Sequence, residues 1–322
     1  MKKTEPEQKI PVAVVCGPTA SGKTALAVEL ALRFGGEVIS ADSMQIYRDL
    51  PVGTAQPSQE EMRGVPHHLI GFCGWDTPFS VADYLKLAAR CIQEIRARGR
   101  LPVLAGGTGL YLSSLLHNLS LAREPRDDAL RQKLEQRARQ EGGAALLEEL
   151  RAFDPETAAR LPPKDLQRIG RAVELYRLTG KTMTQQREES RRLPSPYRAC
   201  WLGLAFEDRQ LLYQRINRRV DVMLENGLLE EARRLLEAPG AATVKQAIGY
   251  KELFPYLRGE CSLEEAVETL KRETRRFAKR QLTWFRREEE IHWLKLDRLD
   301  GPALLEQAAG LVEKVLEIGY NK

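Results

Sequence analysis

Hydrophobic and polar positions change rhythm along the chain, and each change marks an element. Residues 12–16 form an unbroken apolar run, short enough for a buried strand. Residues 24–32 follow with helix-forming composition, and the helix is expected to end at Phe34, before the stop signal Gly35-Gly36. Residues 37–41 read as a second short buried strand that ends at Asp42 and should lie beside the first. A Pro- and Gly-rich loop then runs through Pro66, and a helix over 81–98 is stopped by Gly99. Residues 101–105 are the third apolar strand, followed by Gly106-Gly107-Thr108-Gly109 and a helix from Leu110. Strands alternating with helices predict a parallel α/β sheet.

Near Leu119 the pattern changes. From there to Pro196 no strand rhythm is found, only charged helical stretches at 128–141, 143–153 and 164–179. Pro194-Ser195-Pro196 closes this segment. A strand returns at 199–205, followed by a long helix with Leu212, Ile216, Val220, Met223 and Leu224 on one apolar stripe. A further helix is expected over 264–287 and a last strand over 291–296, near a C-terminal helix. The whole reads as an α/β fold: a P-loop NTPase-like parallel sheet core over 1–120 and 197–322, with a helical insertion domain over 121–196.

Composition adds bounds. With 43% apolar and 30% charged residues among 322, the chain suits a soluble protein of about two domains. No window approaches the ~18 apolar residues that span a bilayer, and the polar stretch 1–9 lacks the apolar core of a secretory signal. Cys16, Cys73, Cys91, Cys200 and Cys261 are scattered with no C-x-x-C pair, as expected of reduced thiols in the cytoplasm. The net charge of +5 is mild, so its distribution carries the information.

Four features carry chemistry. Gly17-Pro18-Thr19-Ala20-Ser21-Gly22-Lys23-Thr24 fits G-x-x-x-x-G-K-[ST] between a strand and a helix, the context that pattern needs for binding phosphates, as in ATP-binding proteins. The glycines let successive N–H groups turn inward, Lys23 can reach terminal phosphates, and the Thr24 hydroxyl can hold Mg²⁺. Asp42 follows the second strand, at the carboxyl edge where parallel sheets bind ligands. It is either a turn or cap residue, or a carboxylate serving as general base or Mg²⁺-shell acceptor. Thr108 sits at the third such edge, where a Gly-Gly-Thr-Gly turn can also be purely conformational. No acid ends the third strand and no Asn-Lys-x-Asp occurs, which argues against motors and switch GTPases and leaves small-molecule kinases open. In 271–287 Lys and Arg crowd one stretch, with Arg272, Arg276 and Arg280 at helical spacing and Glu273 the lone acid. Like charges so placed repel unless a polyanion is present. Phe277, Trp284 and Phe285 are expected to face the core. Gln167-Arg168-Ile169-Gly170-Arg171 adds two cations, and His67-His68 reads as loop packing, because adjacent side chains point apart.

These residues resemble the bacterial tRNA dimethylallyltransferase (tRNA isopentenyltransferase) family. The matching stretches are GPTASGKT (17–24), ISADSMQIYRDLPVGTAQP (39–57), VPHHLI (65–70), LAGGTGLYL (104–112), LQRIGRAVELYRLTGK (166–181), YQRINRRVDVMLENGLLEE (213–231), QAIGYKEL (246–253) and TRRFAKRQLTWFRR (274–287). They cover nearly the whole chain in order. The resemblance implies transfer of a dimethylallyl group from dimethylallyl diphosphate to N6 of adenosine 37, beside the tRNA anticodon. Lys23, the loop and Mg²⁺ would then neutralise the departing diphosphate, Asp42 would take the amine proton, and Thr108 would help hold the amine or the allyl unit.

By the same resemblance the tRNA anticodon stem-loop meets Asp42, Ser43, Met44, Gln45, Thr108, Arg131, Gln167, Arg168, Ile169, Gly170 and Arg171. It also meets Gln246, Ala247, Ile248, Gly249, Tyr250 and Lys251, then Lys279, Arg280, Gln281, Leu282, Thr283, Trp284, Phe285 and Arg286. The adenosine is expected to be extruded into a channel opposite the diphosphate. A cytoplasmic monomer without membrane contact is expected. The alternatives are a free-adenylate isopentenyltransferase, which needs neither the insertion nor the basic helix, and a P-loop small-molecule kinase.

Overall fold

The computed structural model of the chain describes residues 9–119, 127–191 and 193–318. The polar start up to residue 8, and residues 120–126 where the helical insertion was expected to begin, lie outside the described residues.

The first apolar run forms β1 (Ile10–Cys16), buried from Val12 onward. It feeds α1 (Lys23–Phe34), which Gly35 ends in a left-handed conformation, returning its N–H to Ala31. Then come β2 (Glu37–Ser40), the single turn α2 (Gln59–Met62), β3 (His67–His68), α3 (Val81–Ala97), β4 (Pro102–Gly106) and α4 (Gly109–Leu116). Ser80 and Asp83 close a capping box at the start of α3.

After α5 (Asp128–Glu141), α6 (Gly143–Phe153), α7 (Pro155–Arg160), α8 (Leu166–Thr179) and α9 (Met183–Arg191), the chain returns as β5 (Tyr197–Ala205). It continues through α10 (Arg209–Glu225), α11 (Leu228–Glu237), α12 (Ala242–Lys245), α13 (Phe254–Leu257), α14 (Leu263–Phe285), β6 (Ile291–Lys295) and α15 (Gly301–Leu316).

The sheet order is β3-β2-β4-β1-β5-β6, and every pairing is parallel. The second strand therefore does not lie beside the first, as the sequence suggested; β4 separates them. The apolar β4, with Val103 and Leu104 fully buried, takes the central place. β2 opens with Glu37, whose charge is met by Arg98, Arg100 and His68. His67 and His68, expected in a loop, instead form an edge strand on Val38 and Ile39.

One face of the sheet packs on α1 and α15 through Leu26, Leu30, Ala308 and Val312. The other packs on α3 and α4 through Tyr84, Ile92, Leu112 and Leu115, joined by Phe285 of α14. Burying both faces is what lets the central strands be apolar throughout.

By contacts the chain divides into two compact units, one of residues 1–116 and 196–322, the other 117–195. The described elements of the second unit are helices, packed around Leu134, Leu146, Leu150, Ile169 and Val173. Helices α7 and α9 escaped the sequence reading because both are short and polar. Asp154 organises them: it caps α7 through Thr157 N–H, and its carboxylate also accepts the Thr184 hydroxyl at 2.7 Å.

Candidate active site

Three strand ends meet at the carboxyl edge of the sheet. The register pairs Cys16 with Gly106 and Ser40 with Ala105, so the residues that follow β1, β2 and β4 emerge side by side. After β1 the chain must curl at once. Gly17 has φ +143°, and a Cβ there would meet the Leu204 carbonyl oxygen at 2.7 Å. Ala20 and Gly22 also have positive φ, giving the loop the alternating curvature that turns N–H groups inward. Gly22 caps α1 with no side chain, leaving the helix's first N–H groups open to an external anion. Ser21 Oγ and Lys23 Nζ both donate to the Pro18 carbonyl, at 2.8 and 2.7 Å, and close the loop on itself.

Lys23 is held at a pKa of about 8: burial lowers it most, the charge of Arg219 lowers it further, and Asp42 acts in the opposite direction. Arg219 is itself lowered by burial while Asp42 favours its charge. Two cations and one carboxylate therefore sense one another. Lys23 and Asp42 were expected here. Arg219, from α10, was not singled out; its signal was its place inside the matching stretch 213–231. Asp42 Oδ1 accepts the Met44 N–H at 2.9 Å, fixing the carboxylate, while Oδ2 has no partner among the described residues. The turn and ligand readings of Asp42 are thus compatible. Thr108 Oγ1 accepts the Ser43 N–H at 3.0 Å and lies 3.4 Å from Ser43 Oγ, so it steadies the turn carrying Asp42. Thr24 makes no side-chain hydrogen bond among the described residues. With Asp42 it offers two oxygen donors, a set that fits Mg²⁺, which takes most of its ligands from phosphates and water. His67 and His68 are engaged locally, with Val65 O and Glu37, and no cluster of three or more metal-ligating side chains occurs among the described residues.

The positions expected to meet tRNA divide into those facing out and those facing in. Gln281 faces in. It is 6% exposed, accepts the Thr19 N–H at 2.9 Å and donates to the Gly107 carbonyl at 3.0 Å. It therefore ties α14 to two of the three strand-end loops. A Cβ on Gly107 would meet its amide at 2.2 Å. Phe285, Ile169, Ala247 and Tyr250 are also buried; each lies on the core side of a helix or turn. Tyr250 donates to Glu231 at 2.8 Å, which also accepts the N–H groups of Val52 and Gly53. Gln45 is committed as well: its amide oxygen accepts from Ser40 and its amide nitrogen donates to Ala55. Arg131 and Arg171 both bind the fully buried Glu174, at 2.9 and 2.8 Å. Gln167, Arg168, Gln246 and Lys251 are exposed, whereas Gly170 and Ile248 are half-buried.

Helix α14 is not uniformly available. Lys271 pairs with Asp221, Arg275 with Asn217 and Glu268, and Arg276 with Glu273. The side chains of Lys279, Arg286 and Arg287 have no ion-pair or hydrogen-bond partner among the described residues, and Arg280 lies over the Phe277 ring. Thr283 is exposed and Leu282 half-buried. Of the aromatics expected inside, only Phe285 is buried. Trp284 is 36% exposed, its ring N–H reaching Ser113 Oγ at 3.3 Å, and Phe277 is half-buried.

Fold and crevice together define a parallel α/β protein with an anion cradle at the N-terminus of its first helix and a carboxylate beside it. Residues 45–288 match the IPP transferase family and residues 10–70 the isopentenyl transferase family. The chain is 48% identical over 291 residues to the tRNA dimethylallyltransferase of Acetivibrio thermocellus, covering 90% of this chain and 93% of that one. To its counterpart from Halalkalibacterium halodurans it is 49% identical, covering 90% and 92%. It superposes on the tRNA isopentenylpyrophosphate transferase of Bacillus halodurans with a TM-score of 0.73 at 44% identity, over 96% of this chain and 97% of that one. On a eukaryotic dimethylallyltransferase acting on tRNA the TM-score is 0.82 at 29% identity, over 97% and 81%. The chain belongs to the IPP transferase family, that of the tRNA dimethylallyltransferases.

Proposed function

We propose that this enzyme transfers a dimethylallyl group from dimethylallyl diphosphate to N6 of adenosine 37 in tRNA and releases diphosphate. The observation that carries the reading is the crevice in which Lys23 and Arg219 lie with Asp42, whose Oδ2 is open. In the reaction the bond between the allyl C1 and its bridging oxygen breaks, and its electron pair leaves on the diphosphate. A bond forms from N6 to C1, and one N6 proton passes to the Asp42 carboxylate. The adenine amine is a weak nucleophile because its lone pair is delocalised, so proton removal at N6 is where a fixed base helps. Lys23, Arg219 and the N-terminus of α1 stabilise charge on the leaving diphosphate. Thr24, with Asp42 nearby, would hold Mg²⁺, which when bound neutralises charge on the diphosphate oxygens. Thr108 acts by holding Ser43, and through it the turn of Asp42.

A free-adenylate transferase or a small-molecule kinase would share the cradle and Asp42. The unpartnered cations Lys279, Arg286 and Arg287 favour a polyanionic acceptor, as do the relatives acting on tRNA. No helix among the described residues is long and apolar enough to cross a membrane; a tRNA substrate, as the relatives have, supports a cytoplasmic location. The test is incubation with labelled dimethylallyl diphosphate and either tRNA or AMP. Label should enter tRNA; label entering AMP alone overturns the proposal. Asp42→Ala should lower transfer by about 10²–10⁴-fold while tRNA still binds, and full turnover by that variant would remove Asp42 as the base.

A further inference from the structure

Between the first turn of α10 and the last turns of α14 lies a cleft. Arg209, Leu212 and Tyr213 line one side, and Lys279, Leu282 and Arg286 the other. Its floor is apolar. Leu212 is buried against Ile216 and Ala278, and Tyr213 and Leu282 pack on the same cluster, as does Ala20 of the cradle loop. The cleft therefore backs onto the loop that would hold the diphosphate.

Its rim is cationic. Arg209, Lys279 and Arg286 are exposed, and none of their side chains has an ion-pair or hydrogen-bond partner among the described residues. Of the acids before Arg209, Glu207 pairs with Arg298, and Asp208 accepts the Gln210 N–H at 2.8 Å; after Arg286, Glu288 accepts the Ser113 hydroxyl at 2.6 Å. Asp297 accepts the N–H groups of Glu207 and Asp208. Three cations around one cleft repel unless an anion sits among them. An inorganic anion alone leaves the apolar floor unused, and an apolar side chain alone leaves the cations unpaired. A nucleotide supplies both, a phosphate for the rim and a flat base for Tyr213 and the two leucines.

We propose that this cleft binds one nucleotide of the tRNA substrate, with Tyr213 against its base and Arg209, Lys279 and Arg286 each on a separate phosphate, its own or one beside it. The proposal rests on the function given above and adds Arg209 and Tyr213 to the RNA-binding surface.

The test measures binding of a tRNA substrate to the full-length enzyme across a salt series, together with the KM for dimethylallyl diphosphate. Arg209→Ala should reduce the log–log salt slope by about 0.7–0.9, and Arg209→Lys should restore it. Tyr213→Ala should weaken tRNA binding by about fivefold or more. Neither change should move the KM for dimethylallyl diphosphate. Parental slope and affinity in Arg209→Ala overturn the proposal, as does a rise in that KM equal to the loss of tRNA affinity, since the residues would then act through the cradle loop. If the unaltered enzyme labels AMP and not tRNA, the proposed function itself fails. If it labels tRNA while the variants match it, only the cleft assignment fails.

Discussion

At the scale of single residues, Lys23 is the group whose behaviour can be read out most directly. Burial and the nearby Arg219 bring its pKa to about 8 in the free protein. The charged ammonium is the form that attracts diphosphate, and a bound diphosphate raises the pKa again. Affinity for dimethylallyl diphosphate should therefore be highest below about pH 8 and fall above it, by up to about tenfold per pH unit. Binding at pH 8–9 should take up a proton, visible as a dependence of the calorimetric heat on buffer ionisation. Arg219 lowers the Lys23 pKa, so Arg219→Ala should weaken binding yet move the fall to higher pH. A flat profile between pH 7 and 9.5 would mean that Lys23 does not meet the diphosphate. Lys23 was legible in the sequence because its partners are its own neighbours, within an eight-residue pattern. Arg219 was not. It sits among Arg215 and Arg218 in one helix, and nothing local tells which of the three turns toward the crevice.

At the scale of elements, α14 is two-faced. Its outer side carries Lys279 and Arg286, while its inner side sends Gln281 to both Thr19 and Gly107. Replacing Gln281 by Ala orphans the buried Gly107 carbonyl, at a cost of about 1–3 kcal/mol, and the half-buried Thr19 N–H, at less. Gln281→Ala should raise the KM for dimethylallyl diphosphate several-fold and leave the salt dependence of tRNA binding unchanged. Steady-state kinetics and a salt titration of one variant separate the two. A changed salt slope with a normal KM would put Gln281 on the RNA side. A second element, β2, is anchored by Glu37. Burial would raise its pKa, but hydrogen bonds from Arg98 and His68 hold it at about 2. Its contribution is present above the ordinary value of 4.5 and is lost as pH falls toward 2. It is at most roughly 3 kcal/mol, less for the partly exposed Arg98 and Arg100. Urea unfolding should show Glu37→Gln less stable than the parent at pH 7, with the gap closing as pH falls from 4.5 to 2. The element sequence was readable because runs such as 12–16 and 101–105 are wholly apolar. The strand order was not, since the position of β4 between β2 and β1 depends on which faces are covered rather than on any local pattern. His67 and His68 became a strand only because Val38 and Ile39 offered a free edge.

At the scale of the whole molecule, a net charge of +5 matters less than where cations lack partners. The sequence showed α14 as one basic stripe. Coordinates divide it: Lys271, Arg272, Arg275 and Arg276 are met by Asp221, Glu268 and Glu273, whereas Lys279, Arg286 and Arg287 have no such partners among the described residues. An acid beside a cation already does much of what a phosphate would do, so fewer counterions are released when RNA arrives. Neutralising Lys279, Arg280 and Arg286 together should therefore flatten the salt dependence of tRNA binding by about 2–3 in log–log slope, at about 0.7–0.9 per contact. Neutralising Arg275 and Arg276 should reduce it by much less. Their loss should register mainly in thermal stability, since Arg275 holds Asn217 of α10 at 2.7 Å. Filter binding from 50 to 200 mM salt, with thermal unfolding of the same variants, tests the division. Equal slopes for both sets would mean that the internal acids release their cations on binding, and that RNA meets the full length of the helix.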